Sequence, residues 1–551
     1  MEKINEKNKN VNILFVIPLI VLMIGIKCNM IYYVQSDDYW MNNISWGGFS
    51  GNPSEHIVFV KCIIGHFLKA LYNIYSYPNW YGLYYLCIGL LCVYVVMLVL
   101  KKYVSFQVSV FVACFLEVLI LLWLTFTVLA YMCTLIAVMV LFSIEESNTK
   151  KNKFLKYLVA CFLMINAYIL RDDAFFTGIL LIVPLIIFEI KSKIKALLLF
   201  AIICILGICG ISVCEKLTYG SEIWKNYKDY NSLRSANVDF PIDEYEDNKN
   251  LYDRIGMSKN DVNCLKNWIF ADKDVFSEEN LREIAKNTKV STRYNYNPIS
   301  IILKMKEYPI AIIYVFLFLV LSLCFVKTSN NARKLQILQL LFMFGAIGAL
   351  FVINRPVDRV IVPMGIVGTL SVYYMHIKEN TNSLEYGKLI VPIICAVSSI
   401  MLVTGICMYA TYIKKSNWDS NYEEEREYIW NHTDTLFVVE RMHPYTQHQP
   451  VTKVNRTKPF LNMMDIGHWR IYNDDYYQIV EKYNLKYKEN ILLDLVENDN
   501  VLFLYEHQND ANAQKMVKTF LEEHTGRKIK VNIIKKFAKT DDILYKFEYD
   551  D

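Results

Sequence analysis

The stretch Glu55-His-Ile-Val-Phe-Val-Lys-Cys-Ile-Ile-Gly-His-Phe-Leu-Lys-Ala-Leu-Tyr-Asn-Ile-Tyr-Ser76 decides how this chain is threaded. It is long enough to cross a bilayer, yet it carries Lys61, His66 and Lys69. Around it lie about eleven apolar runs of span length: 12–34, 80–100, 104–123, 126–144, 155–170, 175–190, 194–213, 307–326, 335–353, 360–376 and 388–413. Suppose 55–76 lies in the interface instead of crossing. Then Lys3, Lys7 and Lys9, Lys101-Lys102, Lys150 to Lys153, Lys191 to Lys193, the Lys327 to Lys334 loop and the Lys378 to Lys388 loop all fall on one side. Positive residues in short loops stay cytoplasmic. A crossing at 55–76 would reverse that bias for every later loop. The segment therefore reads as an amphipathic in-plane helix, with the N-terminus inside and the C-terminus outside.

Composition agrees. The chain has 551 residues, 54% of them hydrophobic, and a net charge of +4. Its mean hydropathy is +0.23. Apolar residues gathered in blocks at this length indicate a polytopic helical membrane protein. No Lys/Arg block resembles a nucleic-acid footprint, so nucleic acid is not an expected partner. Of the 14 cysteines, all but Cys264 lie in or beside apolar runs, and there is no CxxC. They read as small hydrophobes, not as a disulfide framework or a zinc site. The run 12–34 is too long for a signal-peptide core and reads as a retained anchor.

This threading puts particular polar residues outside together. Gln35 to His56 follows the first run and holds Asp37 and Asp38. Gly47, Gly48, Gly51 and Pro53 break regular structure there, and Trp40 and Trp46 suit a lipid–water interface or a sugar face. A carboxylate pair just outside a membrane suits acid/base work on a lipid-linked substrate. A plain connecting loop would look the same. Arg171-Asp172-Asp173 is the whole link between two runs, and Arg355-Pro-Val-Asp358-Arg359 is another short outer turn. Capping explains an aspartate in a short turn, and snorkelling explains an interface arginine. Taken jointly, acids and arginines ringing one face of an apolar bundle suit an anionic headgroup. Glu117 lies mid-run, away from that face, and stays outside the catalytic set.

Two polar regions remain. The outer loop 214–306 reads as a mostly helical cap, with Ser258 and Ser277 starting helices. Residues 414–551 alternate strand-like runs (435–440, 500–505, 529–534, 543–549) with helix-like ones (420–430, 474–484, 510–524), the pattern of a small α/β domain. His468-Trp-Arg-Ile-Tyr472 in that domain suits stacking on sugar rings, and equally a domain core and rim.

The order of parts resembles the GT-C superfamily of membrane glycosyltransferases, in a bacterial branch. The likeness runs to about residue 413. It rests on Ser36-Asp-Asp-Tyr-Trp after the first run, the interfacial segment Glu55 to Ser76, the acidic turn Arg171-Asp172-Asp173, the large loop after the seventh run and the basic turn Asn354-Arg-Pro-Val-Asp-Arg359. The expected fold is thus an all-α bundle at 1–413, with a first outer loop at 35–79 and a large one at 214–306, followed by an extracytoplasmic α/β domain at 414–551. The resemblance implies transfer of a sugar from a polyprenyl-phosphate donor to an envelope glycan, lipid or protein at the outer face of a plasma membrane. It implies Asp37 or Asp38 as the base toward an acceptor hydroxyl. Arg171, Arg355 and Arg359 become holders of the donor phosphate, and Asp172 or Asp173 a second acidic site. Glu55 and His56 are secondary candidates. The acidic clusters permit Mg or Mn without requiring it. A transporter or carrier-lipid flippase, and a non-catalytic envelope scaffold, are the competing readings.

Overall fold

The computed structural model describes residues 2–28, 30–34, 36–308, 319, 329–379, 421–439, 451–452, 459–505 and 512–550. The first part is helical: α1 (Glu2–Lys27), α2 (Ser36–Trp46), α3 (Cys62–Ile74), α4 (Trp80–Leu100), α5 (Phe106–Leu122), α6 (Phe126–Phe142), α7 (Lys150–Leu170), α8 (Asp172–Leu181) and α9 (Val183–Thr218). Then come α10 (Glu222–Val238), α11 (Lys249–Arg254), α12 (Lys259–Lys266), α13 (Glu278–Asn287), α14 (Val290–Arg293), α15 (Pro298–Met305), α16 (Asn330–Val352) and α17 (Asp358–Glu379). Local chemistry sets many of the starts. Asn79, Ser105, Thr125, Thr149, Ser221 and Ser277 each accept a backbone N–H as N-cap. Ser258 and Asp261 form a full capping box on α12.

Among the described residues, five helices are long and apolar enough to cross a membrane: α4, α7, α9, α16 and α17. Leu14–Lys27, α3, α5 and α6 are shorter apolar helices. The expected spans 307–326 and 388–413 lie almost entirely outside the described residues. Three expectations need correction. The first span, read as 12–34, ends as helix at Lys27. Beyond it the backbone pairs elsewhere, with Ile31 O accepting from Val451 N at 2.8 Å. The in-plane helix, read as 55–76, starts only at Cys62. Two of its upstream N–H groups are taken by other segments, Val58 N by Tyr219 Oη at 3.1 Å and Lys61 N by Ile169 O at 2.9 Å. The loop expected at Lys191 to Lys193 stays helical inside α9, although contacts reverse across it. Leu181 O meets Gln339 and Glu189 pairs with Lys378, whereas Ser212 meets Tyr168 and Thr218 meets His56.

Lysines of three of the expected inner loops, Lys102, Lys193 and Lys378, gather at one end of the bundle with Lys156. Lys102 and Lys156 donate to Ser143 O, Lys193 to Ile144 O, and Lys378 to Glu189. Asp37, Arg171 and Arg359 lie at the other end.

The C-terminal part holds α18 (Glu423–Asn431), β1 (Leu436–Val439), β2 (Met463–Asp465), α19 (Asp474–Lys482), α20 (Ile491–Glu497), β3 (Val501–Tyr505), α21 (Ala513–Thr525), β4 (Ile529–Lys536) and β5 (Ile543–Tyr549). The strands form one sheet in the order β2-β1-β3-β5-β4. The pairs around β1 are parallel, and those around β5 antiparallel. All four residues of β1 are buried apolar groups, as expected of a strand covered on both faces. Side chains alternate across a strand. Leu436 and Val438 accordingly enter a core shared with Tyr252, Ile269 and Phe270 of the long loop. Phe437 and Val439 enter the core of the helical bundle. The sheet therefore lies between the two and fixes the long loop over the bundle end.

Candidate functional site

A cavity of about 660 Å³ opens where loop, sheet and bundle meet. That is the size of a ligand cleft. Its wall includes Asp37, Val58, Phe59, Arg171, Asp173, Tyr227, Lys228, Arg234, Asp239, Trp268, Arg355, Arg359, Gly467, His468 and Trp469. Five cationic side chains and three carboxylates thus line it.

Asp37 comes from the first turn of α2, where a carboxylate complements the helix dipole. Trp469 Nε1 donates to its Oδ1 at 3.1 Å, and Arg359 Nη2 approaches its Oδ2 at 3.6 Å. Arg359 stands at the start of α17. The turn before it is set by Asn354, whose φ of 55° is left-handed, and Arg355 N returns to Leu350 O at 2.9 Å. Arg355 reaches Asp239 at 3.5 Å and lies over the Phe240 ring at 4.6 Å. Arg171 is extended between α7 and α8. Its guanidinium lies 5.0 Å from the Phe126 ring and 3.7 Å from Asp173. These groups, far apart in sequence, face one volume.

The other candidates lie elsewhere. Asp38 is fully buried, accepts from Tyr81 Oη at 2.9 Å and does not line the cavity. Its second oxygen has no hydrogen bond. Burial pushes its carboxyl up to about 7, against the neighbouring tyrosine hydroxyls, which pull it down. Asp172 is bound by Lys61 Nζ at 2.6 Å. Glu55 is bound by Lys69 at 2.6 Å. His56 stacks on Trp224, centroids 4.3 Å apart, with Nε2 3.2 Å from Thr218 O. Glu117 is 2% exposed inside α5, with neither oxygen hydrogen-bonded.

Several wall residues escaped the sequence reading. Arg234 is held by Asn231 Oδ1 at 2.7 Å and by Asp239 at 3.1 Å, and like Lys228 it brings a cation from α10 to the wall. Read alone, such cations equally suit a solvated helix face. His468 is 3% exposed, and its Nδ1 has no hydrogen bond. Burial, then Arg470 and Arg234, hold its imidazole well below the ordinary value, so it is neutral at pH 7. The aromatic–polar mix at 468–472 was its only signal. Gly467 is obligatory, because a Cβ there would sit 1.2 Å from Trp268 O. Phe270 N donates to Ile466 O at 3.0 Å and locks the same contact.

The wall does not fit a divalent-cation cage. Each lining carboxylate already faces an arginine: Asp37 with Arg359, Asp173 with Arg171, Asp239 with Arg234 and Arg355. Surplus guanidinium suits an anion, for which its planar fork is shaped.

Fold and site together define, among the described residues, a mostly helical chain with five membrane-length helices and a cation-rich cavity at one end. No family model matches the chain, and no curated protein does. Two crystal structures align with it end to end. One is ArnT from Cupriavidus metallidurans bound to undecaprenyl phosphate, at 9% identity and a TM-score of 0.34 over 97% of both chains. The other is the same protein in the apo state, at 10% identity and a TM-score of 0.37 over 98% of both chains. At those scores neither structure assigns this chain a function.

Proposed function

We propose that the chain is a membrane glycosyltransferase that moves a sugar from a polyprenyl-phosphate donor to an acceptor hydroxyl. The observation that carries this reading is the convergence of Asp37, Arg171, Arg355 and Arg359 on one cavity at a bundle end. The acceptor oxygen attacks the anomeric carbon from the face opposite the phosphate. The new glycosidic C–O bond forms as the bond to phosphate oxygen breaks, with inversion. The hydroxyl proton passes to the Asp37 carboxylate. The three arginines bind the phosphate and stabilise the charge that grows on it as it leaves with the lipid. Trp469 and Arg359 fix the rotamer of Asp37. Asp173 positions the acceptor, and Asp38 acts as an anchor, not a base.

The remaining parts follow from this reading. The bundle 1–413 crosses a bacterial plasma membrane about eleven times, with the lysine-rich end inside. The loop at 35–79 carries the base. The loop at 214–306 and the domain at 414–551 roof the cavity outside. The acceptor is an envelope glycan, lipid or protein, and α3 rests in the interface with Ile63 and Phe67 toward lipid, where they are 40% and 50% exposed.

The test is a transfer assay with the full chain in lipid and radiolabelled polyprenyl-phosphate sugars. Release or transfer of label by the wild type, and its loss in Asp37→Asn with donor binding intact, supports the reading. Absence of donor turnover with every sugar tried, together with an unchanged cellular phenotype for Asp37→Asn, overturns it.

A further inference from the structure

Behind Val58 and Tyr227 of the cavity wall, α3 and the end of α9 bring together a different set of groups. Cys62 and His66 stand four residues apart on α3, hence on one face. Cys214, near the C-terminus of α9, faces them. Cys62 Sγ lies 3.5 Å from Cys214 Sγ, and one ligating atom from each of the three residues falls within 4.8 Å of the others. We infer that Cys62, His66 and Cys214 form a binding site for a zinc-class divalent ion, a site independent of the proposed sugar transfer.

Three points carry this. The first is geometry. Zinc–thiolate bonds are about 2.3 Å, so two thiolates on one tetrahedral ion sit about 3.8 Å apart, close to the separation here. The second is the third ligand. A thiol pair alone would be neutral packing or a disulfide precursor, but His66 closes the set. His66 is exposed, and its Nε2 is 2.9 Å from Thr218 Oγ1, a bond easily exchanged for a metal bond. The third is the setting. Cys62 is fully buried in a small apolar cluster with Tyr219, Trp224 and Tyr227, and its backbone N–H donates to Glu215 Oε2 at 2.9 Å. Two thiolates cancel the charge of a divalent ion, each thiol releasing its proton to solvent on ligation. Three protein ligands leave the fourth position to water. The ion would fasten α3 to the end of α9, just below Val58, which also lines the cavity.

The test uses the full chain in lipid nanodiscs, fully reduced, titrated with Co²⁺ alone. The expected result is one cobalt per chain, with a thiolate-to-cobalt charge-transfer band and a raised Tm. Both effects are lost in Cys62→Ser and Cys214→Ser. His66→Ala, an exposed change that leaves the fold intact, weakens binding at least tenfold. Cys133→Ala, which removes a second close thiol pair (Cys92 Sγ to Cys133 Sγ, 3.7 Å), leaves the band in place. Absence of the band, or a band indifferent to Cys62→Ser and His66→Ala, overturns the inference. So does a Cys62–Cys214 disulfide formed on mild oxidation by a chain that takes up no cobalt when reduced.

Discussion

At the N-terminus of α2 and at the N-terminus of α8 the chain places the same dipeptide, Asp-Asp, and in both places the two carboxylates part company. Asp37 faces the cavity while Asp38 turns into the core against Tyr81. Asp173 faces the cavity while Asp172 is tied to Lys61. Helical neighbours are about 100° apart, so one of each pair must point elsewhere. The anchors differ in kind. Asp38 meets uncharged donors, the Tyr81 hydroxyl among them, and has no exposure. Asp172 has an ammonium, and its side chain is 42% exposed. In each pair one carboxylate therefore lines the cavity and the other is held inside the fold by its partner.

The largest expected effect separates Asp37 from Asp38. Removing a general base costs about 10²–10⁴-fold in rate. Asp37→Asn should lose that much kcat with donor affinity within a few-fold. Asp38→Asn should stay near the wild-type rate. Equal losses in both would break the comparison.

The second effect is on stability. The folded Asp38 carboxyl holds its proton up to about 7, whereas the unfolded chain releases it near the ordinary carboxylate value. The folded state therefore binds more protons between those values, and stability falls as pH rises from about 4 to about 7, then levels. The upper limit is about 4 kcal/mol. Asn mimics the protonated acid. The Tm difference between Asp38→Asn and wild type should grow in favour of the variant from pH 4 to pH 8. A pH-independent difference would show that Asp38 is not fastened as a neutral acid.

The third effect concerns the arginines. A hydrogen bond to a charged group is worth about 1.5–3 kcal/mol, roughly 10–150-fold. Arg359→Ala should weaken transfer by that factor. Because Arg359 also faces Asp37, Arg359→Lys should recover charge without the fork and restore only part of the loss. Full recovery with lysine would reduce Arg359 to a point charge.

The smallest effect sharpens the second pair. Lys61→Met should cost about 1 kcal/mol, read as a slight fall in Tm with transfer unchanged, since the partly exposed Lys61–Asp172 pair is screened. Asp173→Asn should leave Tm unchanged and raise KM for the acceptor. Reversed outcomes would exchange the roles of Asp172 and Asp173.

Much of this was legible locally. Side-chain caps such as Ser258 and Ser277 announce α12 and α13, continuous apolar runs announce β1 and β3, and mixed apolar–polar runs announce β4 and β5. The strand β2, only three residues long, and the short α20 carried too little periodicity to be read. The end of α1 at Lys27 and the late start of α3 were not legible either. Each depends on backbone partners far along the chain, Val451 for Ile31 and Ile169 for Lys61.

The sequence by itself determined the helical bundle, the gathering of loop lysines, and the set of acids and arginines from which a polar end is built. Those properties follow from side-chain type and period, which act within a turn or a strand. The tertiary structure alone decided that Asp37 and not Asp38 faces the cavity, that α10 and the 467–469 segment complete its wall, and that the long loop and the sheet share one core. Asp37 and Trp469 meet across 432 positions, and Trp268 closes on Gly467 from a separate loop. Packing between distant surfaces sets such contacts, and no local pattern encodes them.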